Sequence, residues 1–562
     1  MNRLLLLIFL ALNLLLQAQT PRETRAVWVS TNFRLDWPPP THNQAAQKKE
    51  LKKIFDNIEK KNLNTIYFQV RSNGTVLFRS SMELFSQYIT GNIGDFGNYD
   101  PLEFAIKEAH KRGLEIHAWL NTNRVFTGSN ISIKNNPLHI SQYHPDWVYE
   151  KSDNSIWLDP GIPEVREYLT ELINEIVQNY NIDGIQLDFI RYPKAPIDDI
   201  KTYNIYGEGI PKPQWRRDNI TALISSVNKR IKGTNPKVKL GVTPIGIYKS
   251  ITNGRGLEGY SDVFQDTREW LKLGIIDYAV PQIYWDVKSN PKFDVLSKDW
   301  VNNSFGKNII IGIGAYKPEV YNELEREINV TRNLNASGVS FFRYQNIAKK
   351  TFYSFEEKAL PTEMPWIDEV SKLAELKLTS YFQSNKIVLN FKINSRSLSD
   401  NGYFALYESD SFQNRSNNKL IKVFPNYISK MSFALPQPSK INYYYSTTQF
   451  DQLWNESSNK SDVTKVSIPK LENIEENLNT INNPILLQNG GGSIILLYSN
   501  LEEEITLYRN NIKTEDSMIS KHFLKKGINH ITLNFNLSNY SEVVIDFQKS
   551  KRTVSLKVNK PS

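Results

Sequence analysis

Short apolar runs alternate with longer segments whose apolar positions recur every three to four residues through the first 350 residues. The short runs predict buried strands, and the longer segments predict amphipathic helices. Predicted helices include 47–61, 101–112, 165–180 and 215–231. Eight strands are predicted, at 24–31, 65–71, 114–121, 183–189, 239–246, 278–285, 309–316 and 338–344.

Eight successive strand–helix units predict an α/β fold, a TIM (β/α)₈ barrel, at residues 22–350. A doubly wound open sheet is the alternative. Such sheets carry a glycine-rich phosphate-binding turn after the first strand. Here the tetrapeptide 30–33 reads Ser-Thr-Asn-Phe, which favours the barrel.

The pattern changes after residue 350. Prolines punctuate the segment 351–370, which reads as a linker. Apolar and polar residues then alternate strictly, as at 387–393 and 531–537, which is typical of antiparallel strands with one solvated face. We therefore expect two small all-β sandwich domains, at 371–465 and 475–562.

The N-terminus has the features of a secretory signal. Arg3 precedes an apolar run at 4–16 that only Asn13 interrupts, and small and polar residues follow. This run is shorter than the ~18 residues of a spanning helix, so we predict a signal peptide at 1–18 that is cut near Ala18. The mature protein is expected to be periplasmic or secreted, without an integral membrane span. An uncleaved anchor is the alternative.

The amino-acid composition excludes several kinds of partner and functional site. The 562 residues include 68 Lys+Arg and 59 Asp+Glu, a net charge of +9, with no basic run interleaved with aromatic residues. This mild excess gives no reason to expect nucleic acid as a partner. Cysteine is absent, which excludes disulfides, thiolate metal sites, cysteine nucleophiles and a lipid-modified N-terminal cysteine. We expect a monomer with no cofactor and no metal.

Residues late in the barrel strands are the candidates for chemistry, because TIM-barrel active sites lie at the carboxyl ends of the strands. In the fourth strand, the apolar Ile185 and Leu187 are expected to face the helices, which turns Asp188 inward at the mouth. Asp183 lies five residues earlier, roughly 16 Å down the strand at ~3.3 Å per residue. We expect Asp183 to brace the bottom of the barrel.

The same alternation predicts a mouth suited to sugars. Aromatic rings match the apolar face of a pyranose, and amides hydrogen-bond its hydroxyls. His117 has an alternative interpretation as a hydrogen-bonded core residue. The predicted substrate-binding residues are Gln69, Arg71, His117, Trp119, Asn121, Tyr192, Gln282, Tyr284 and Trp285.

Several segments together resemble a known family. They read TRAVW at 24–28, YFQVR at 67–71, HAWLN at 117–121, LDPGIPEV at 158–165, DGIQLD at 183–188, WRRDN at 215–219, GVTPIG at 241–246 and PQIYW at 281–285. In this order they resemble the glycosyl-hydrolase-like family 10 barrels of bacterial envelopes, over about residues 22–345. The resemblance implies a glycosidase that acts on bacterial cell-wall glycan, such as peptidoglycan strands stripped of their peptides.

Two departures bear on the mechanism. The family often has a second Asp directly after the position of Asp188, where this chain has Phe189. The fourth strand also resembles the chitinase pattern, but Ile190 stands where the catalytic Glu of chitinases is expected. The proton donor of a chitinase is therefore absent from this position.

We predict an exported glycoside hydrolase whose substrate is a polysaccharide and whose nucleophile or electrostatic stabiliser is Asp188. Alternation favours Asp286 as the proton donor, while Asp159 and Glu164 match the loop motif of the family. With Asp286 as donor, the expected course is retention of configuration. A glycan-binding protein without catalysis is the rival hypothesis, and a metal-dependent deacetylase is a third.

Overall fold

The computed structural model describes residues 21–129, 131–367, 376–383, 386–393, 402–409, 419–434, 442–457, 461–467, 484–489, 492–499, 501–509, 513–525, 527–533 and 542–557. The predicted signal peptide at 1–18 lies outside these residues. No helix in these ranges combines the length and the apolar character needed to cross a membrane.

Eight parallel strands close into a barrel, which confirms the predicted TIM fold. Each strand pairs with its neighbours in sequence order, and the first strand closes the ring by pairing with both the second and the eighth. The short strand Gln282–Ile283 extends the sixth position. The barrel strands are β1 (Thr24–Val29), β2 (Thr65–Ser72), β3 (Glu115–Asn121), β4 (Gly184–Asp188), β5 (Lys239–Val242), β6 (Tyr278–Ala279), β7 (Asn308–Ile313) and β8 (Gly338–Phe341).

A helix follows each barrel strand. These helices are Gln44–Lys60, Pro101–His110, Pro163–Asn179, Lys212–Thr234, Thr267–Lys272, Phe293–Asn302, Leu324–Asn333 and Tyr344–Ile347. Shorter helices lie in the connections, at Gln87–Thr90, Ile131–Lys134, Ile140–Tyr143, Ile200–Tyr206, Gly259–Asp262 and Pro318–Tyr321. The connection after β3 also forms a small antiparallel sheet of Arg124–Phe126, Val148–Glu150 and Ile156–Leu158.

Period-two alternation divides the barrel core into two layers. Ile185 and Leu187 of β4 lie in the outer layer, between strands and helices, as the sequence predicts. Trp28, Tyr67 and Trp119 pack inside the barrel, with ring centroids of Trp28 4.5 Å from Tyr67 and 4.9 Å from Trp119. Large rings fill the interior, so the barrel is a packed core that opens only at its mouth.

A buried polar cluster lies deeper in the barrel. The Lys239 ammonium binds the Glu115 carboxylate, and both side chains are almost fully buried. His117 Nδ1 lies 2.5 Å from the hydroxyl oxygen of Tyr278. Gly184 makes room for this imidazole, because a Cβ there would lie 2.5 Å from His117 Nδ1. Each charged group has a buried partner, which offsets the cost of desolvation.

Antiparallel sheets follow the barrel. One pair combines Leu376–Gln383, Lys386–Ile393 and Lys430–Ala434 with Lys419–Pro425, Tyr403–Ser409, Asn442–Phe450 and Thr464–Ser467. A second pair combines Ile485–Asn489, Gly492–Ser499 and Gly527–Leu533 with Met518–Leu524, Glu503–Arg509, Glu542–Phe547 and Thr553–Lys557. The second pair encloses an apolar core of its own, which includes Ile495, Leu507 and Val543.

The first pair of sheets docks on the bottom of the barrel. Tyr403 and Trp454 stack with ring centroids 4.7 Å apart and pack with Leu360. Arg22 Nη1 donates to the Trp454 carbonyl at 2.7 Å, and Gln452 Nε2 donates to the Ile182 carbonyl at 3.1 Å. These contacts cover the end of the barrel opposite its mouth.

Candidate active site

The carboxyl ends of the strands open onto a cavity of about 520 Å³. Two larger clefts, of about 830 and 1150 Å³, lie elsewhere: one includes Glu175 and Tyr180, and the other includes Glu23 and Arg332. Because strand-end loops carry the chemistry of TIM barrels, we take the mouth cavity as the candidate active site. Its wall includes Trp28, Ser30, Asn32, Phe33, Leu35, Gln69, Trp119, Asn121, Arg124, Thr127, Asp188, Phe189, Thr243, Gln282, Tyr284, Tyr316, Phe342 and Arg343.

Asp188 is the one carboxylate that lines this cavity within the described residues. It is the last residue of β4, beside Asn121 of β3, and its side chain is only slightly exposed. Its Oδ1 accepts the backbone N–H of Phe189 at 2.8 Å. The inward position predicted from alternation is therefore observed.

The surroundings of Asp188 favour its protonated form. Burial raises the pKa of this carboxyl, and the Phe189 N–H, Arg124 and Arg191 only partly oppose the rise. The indole N–H of Trp119 also favours ionisation of Asp188, but it makes no hydrogen bond of normal geometry to any described residue. A carboxyl with a raised pKa can hold a proton for transfer to a substrate.

Aromatic rings form the upper wall. Tyr284 stacks on Phe342 with centroids 5.8 Å apart, and Tyr316 meets Tyr284 edge-on at 5.9 Å. Phe33 and Tyr316 are each 48% exposed, which is high for aromatic rings in a cavity wall. These rings provide apolar surface to a ligand, and such surface suits the face of a sugar ring.

The Phe33 backbone adopts an unfavourable conformation. Its φ is 54°, in the left-handed region that bulky residues rarely occupy. Gln69 braces this loop, since its Oε1 accepts the N–H of Thr31 at 3.0 Å and of Asn32 at 2.9 Å. Strain that surrounding bonds maintain is frequent at functional sites.

Five of the predicted substrate-binding residues line the cavity, and so does the predicted catalytic carboxylate, Asp188. The five are Gln69, Trp119, Asn121, Gln282 and Tyr284. Arg71 does not line it. A bulge between Gln69 and Arg71 breaks the alternation of β2, and Arg71 is buried against Glu83, with Nε–Oε2 at 2.8 Å and Nη2–Oε1 at 2.5 Å. A bulge of this kind cannot be seen in the hydrophobic pattern.

His117 also lies outside the cavity wall. Its imidazole occupies a deeper layer of the barrel, where it contacts Tyr278, as the core interpretation expects. Tyr192 is fully buried, and its hydroxyl accepts a hydrogen bond from Asn219 Nδ2 at 3.2 Å. Trp285 is partly buried against the outer core, near Gly246. The structure places none of these three side chains at the candidate site.

Asp286 does not face Asp188 across the mouth. Its Oδ1 accepts the backbone N–H groups of Lys288 at 3.1 Å and Ser289 at 2.5 Å, so it caps a turn. Hydrogen bonding from Ser289 lowers the pKa of Asp286, the opposite of what a proton donor needs. The prediction extended strand alternation too far, because the sixth strand is interrupted after Ala279 and ends at Ile283.

The two other predicted donors also lie outside the cavity wall. Asp159 is buried, and its Oδ2 accepts the Thr202 hydroxyl at 2.6 Å while its Oδ1 accepts the Gly161 N–H at 2.9 Å. Burial raises the pKa of Asp159, but the carboxylate serves the turn before the helix Pro163–Asn179. Glu164 is exposed on the first turn of that helix.

Sequence reasoning missed several residues of the cavity wall. Tyr316 and Phe342 lie in the predicted seventh and eighth strands, so alternation could have identified them. Phe33 and Arg124 lie in the connections that follow β1 and β3, where the alternation of the barrel strands gives no signal. No group of three or more His, Cys, Asp or Glu side chains in the described residues is arranged to hold a metal ion.

Comparison with known proteins defines the class. The family model of glycosyl hydrolase-like 10 matches residues 23–328, more than half of the chain. The chain therefore belongs to this family and is a glycoside hydrolase, and the resemblance in its motifs is confirmed.

Two relatives show how far the similarity extends. Glycosyl hydrolase YngK of Bacillus subtilis (strain 168) is 31% identical over 489 residues, which cover 80% of this chain and 94% of the relative. Glycosyl hydrolase DigH of Escherichia coli (strain K12) is 35% identical over 328 residues, which cover 53% of this chain and 74% of the relative. The similarity to YngK thus extends beyond the barrel.

Two solved structures also match part of this chain, at much lower sequence identity. The PgaB (BpsB) glycoside hydrolase domain from Bordetella bronchiseptica is 13% identical, with a TM-score of 0.41, over 59% of this chain and 99% of that domain. The catalytic domain of β-amylase from Paenibacillus polymyxa is 12% identical, with a TM-score of 0.40, over 58% of this chain and 94% of that domain.

Proposed function

We propose that this glycoside hydrolase cleaves a bacterial cell-wall polysaccharide, namely peptidoglycan glycan strands stripped of their peptides. Family membership and the similarity to named glycosyl hydrolases support the reaction class. The observation that carries the proposal is Asp188, a buried carboxyl with a raised pKa in a cavity walled by aromatic rings.

Asp188 acts as the general acid in this proposal. It protonates the glycosidic oxygen as the bond from that oxygen to C1 breaks, and positive charge develops on the sugar ring. The wall offers no second carboxylate within the described residues, so the substrate supplies the nucleophile. The carbonyl oxygen of a 2-acetamido group forms a bond to C1 and displaces the leaving sugar.

Water then completes the reaction. The ionised Asp188 takes a proton from a water molecule, whose oxygen attacks C1 and releases the acetamido oxygen. This restores the acid and retains the configuration at C1. Tyr284 and Trp119 border Asp188 and carry the hydroxyl and N–H that would hold the acetamido group. The proposed mechanism therefore retains the configuration at C1 and gives Asp286 no role.

A glycan-binding protein without catalysis is the second candidate, and the number of carboxylates in the cavity favours it. One carboxylate in the cavity is fewer than the pair that most glycosidases use. Incubation with peptide-free peptidoglycan strands, chitin oligomers and plant glycans distinguishes the two functions. New reducing ends from the first substrate support the proposal, whereas tight binding without products overturns it in favour of binding alone.

Export is also part of the proposal. The apolar run at 4–16 and the small residues after it favour cleavage near Ala18 and a periplasmic or secreted enzyme. N-terminal sequencing of the protein recovered from outside the cytoplasm tests this step. A mature chain that retains residues 1–18 would indicate an anchor instead.

A further inference from the structure

Arg124 is a cation in the cavity wall whose side-chain N–H groups have no acceptor among the described residues. It begins the short strand Arg124–Phe126, and its guanidinium carbon lies 3.5 Å from the ring centroid of Phe189. In the part of the chain that the structure describes, Arg124 makes no side-chain hydrogen bond and no ion pair. The Arg124 side chain is only partly exposed, but its nitrogens are not among the buried polar atoms that lack a partner, so a ligand in the cavity can replace the water that reaches them.

The other arginine in the cavity wall, Arg343, already has protein acceptors. Nη1 of Arg343 donates to the Asp36 carboxylate and to the Leu35 carbonyl, both at 2.6 Å, and to Gln345. Arg343 therefore serves to hold the loop after β1, while Arg124 is available. The contrast between the two side chains identifies Arg124 as the group that a ligand would use.

Phe189 fixes the position of Arg124. The ring lies against the guanidinium on one side, and Trp157 meets the ring edge-on at 5.8 Å. Stacking of this kind occupies the face of a guanidinium and leaves its N–H edge free for a carboxylate or phosphate. The residue after Asp188 thus supports an arginine in the same cavity.

Asp188 does not use these donors. Arg124 lowers the pKa of Asp188 through its charge, but the two side chains form no ion pair. Burial lowers the pKa of Arg124 to about 10, so it remains a cation at neutral pH. An anion that entered the cavity would meet a partly buried positive charge beside the catalytic carboxyl.

We propose that Arg124 binds a carboxylate carried by the glycan, so that the cavity selects acidic sugars over neutral ones. This inference rests on the proposed function, because it takes the mouth cavity as the glycan site. A charged hydrogen bond of this type contributes about 1.5–3 kcal/mol, which is roughly a tenfold to hundredfold difference in affinity.

The test measures binding in the Asp188→Asn background, where turnover is blocked. One probe is peptide-free peptidoglycan strands with free lactyl carboxylates, and the other is the same strands after conversion of those carboxylates to neutral amides. The Asp188→Asn protein is expected to bind the acidic strands at least tenfold more tightly. Equal affinity for the two probes, or no binding to either, overturns the proposal.

The added change Arg124→Gln is expected to abolish the preference and leave affinity for the amidated strands unchanged. Arg124→Lys keeps the positive charge but loses the planar guanidinium with its paired N–H donors. This variant is expected to keep part of the preference for acidic strands. Arg191→Gln is the matched control, since Arg191 also lowers the pKa of Asp188 but does not line the cavity. Equal weakening toward both probes by Arg124→Gln contradicts the assignment.

The two proposals fail separately. Release of reducing ends by the unmodified enzyme tests hydrolysis, whereas the ratio of affinities tests Arg124. A preference for acidic strands without any products retains the role of Arg124 and overturns the proposed hydrolysis of peptidoglycan strands. Products from acidic and amidated strands at equal kcat/KM overturn the role of Arg124 alone.

Discussion

Nε2 of His110 lies 2.8 Å from Oδ2 of Asp183 beneath the barrel, and the same oxygen accepts the backbone N–H of Ile116 at 2.8 Å. The Asp183 side chain is almost fully buried. Interaction with Asp183 raises the pKa of His110 despite the opposing effect of burial. One carboxylate thus ties β3 to the end of the helix Pro101–His110, far from the mouth.

The change Asp183→Asn is expected to reduce stability and leave chemistry intact. Loss of a buried, charged acceptor costs about 1–3 kcal/mol, measured as a lower urea midpoint or melting temperature. Asp56→Asn is the control, because Asp56 pairs with Arg112 at the surface and contributes little. A loss of kcat at unchanged stability would contradict the placement of Asp183 at the bottom of the barrel.

Asp188→Asn is expected to lower kcat by roughly 10²- to 10⁴-fold, because an amide cannot transfer the proton. The fold is expected to persist, since the amide oxygen can still accept the Phe189 N–H. The matched control is Asp286→Asn, which alters a turn outside the cavity and keeps turnover. If Asp286→Asn is the inactive variant and Asp188→Asn is active, alternation identified the donor and the cavity argument is wrong.

Phe33→Ala is expected to raise KM by roughly threefold to tenfold with little change in kcat, because it removes an aromatic surface that lines the cavity. Phe33→Trp is expected to restore binding. Phe305→Ala is a close control, since Phe305 also has a positive φ, 51°, is 50% exposed and does not line the cavity. An equal rise in KM from both changes would indicate a general effect on the fold.

The stability of the protein is expected to depend on pH because of the buried residue Glu327. Its side chain is fully buried, and neither carboxyl oxygen has a hydrogen-bond partner in the described residues. Burial, with Glu323 and Asp286 nearby, raises the pKa of Glu327 from 4.5 to about 9. Glu327 ionises near 4.5 in the unfolded state, so the contribution of the protonated side chain to stability is fully present below pH 4.5 and is lost as pH rises toward 9.

Glu327→Gln removes this titration. The variant is expected to gain stability relative to the unmodified protein as pH rises from 5 to 8, by up to about 4 kcal/mol. Melting temperatures at the two pH values measure the effect. Glu319→Gln, at an exposed position, provides the comparison and is expected to show no such trend.

Truncation after residue 366 is expected to destabilise the barrel, because Tyr403, Phe450 and Trp454 cover its bottom together with Leu360. Truncation after residue 467 retains these contacts and is the control. Melting temperature and the tendency to aggregate are the measurements. Identical melting of the two truncated proteins would show that the docked sheets do not support the barrel.

Local periodicity determined the barrel, its eight strands and the inward position of Asp188. The hydrophobic period of each segment distinguishes strand from helix. Because Ile185 and Leu187 face the helices, alternation places the Asp188 side chain on the opposite, inner face of β4. The bottom position of Asp183 follows from the rise per residue along the same strand.

Tertiary structure decided which polar residues meet. The bulge in β2 that turns Arg71 toward Glu83 and the early end of the sixth strand that leaves Asp286 in a turn both depend on how neighbouring strands pair. The connections after β1 and β3, which bring Phe33 and Arg124 into the cavity wall, carry no hydrophobic periodicity that predicts this placement. Hydrophobic alternation records burial within one segment, whereas a site is made by contacts between segments distant in sequence, and only the closed barrel sets those distances.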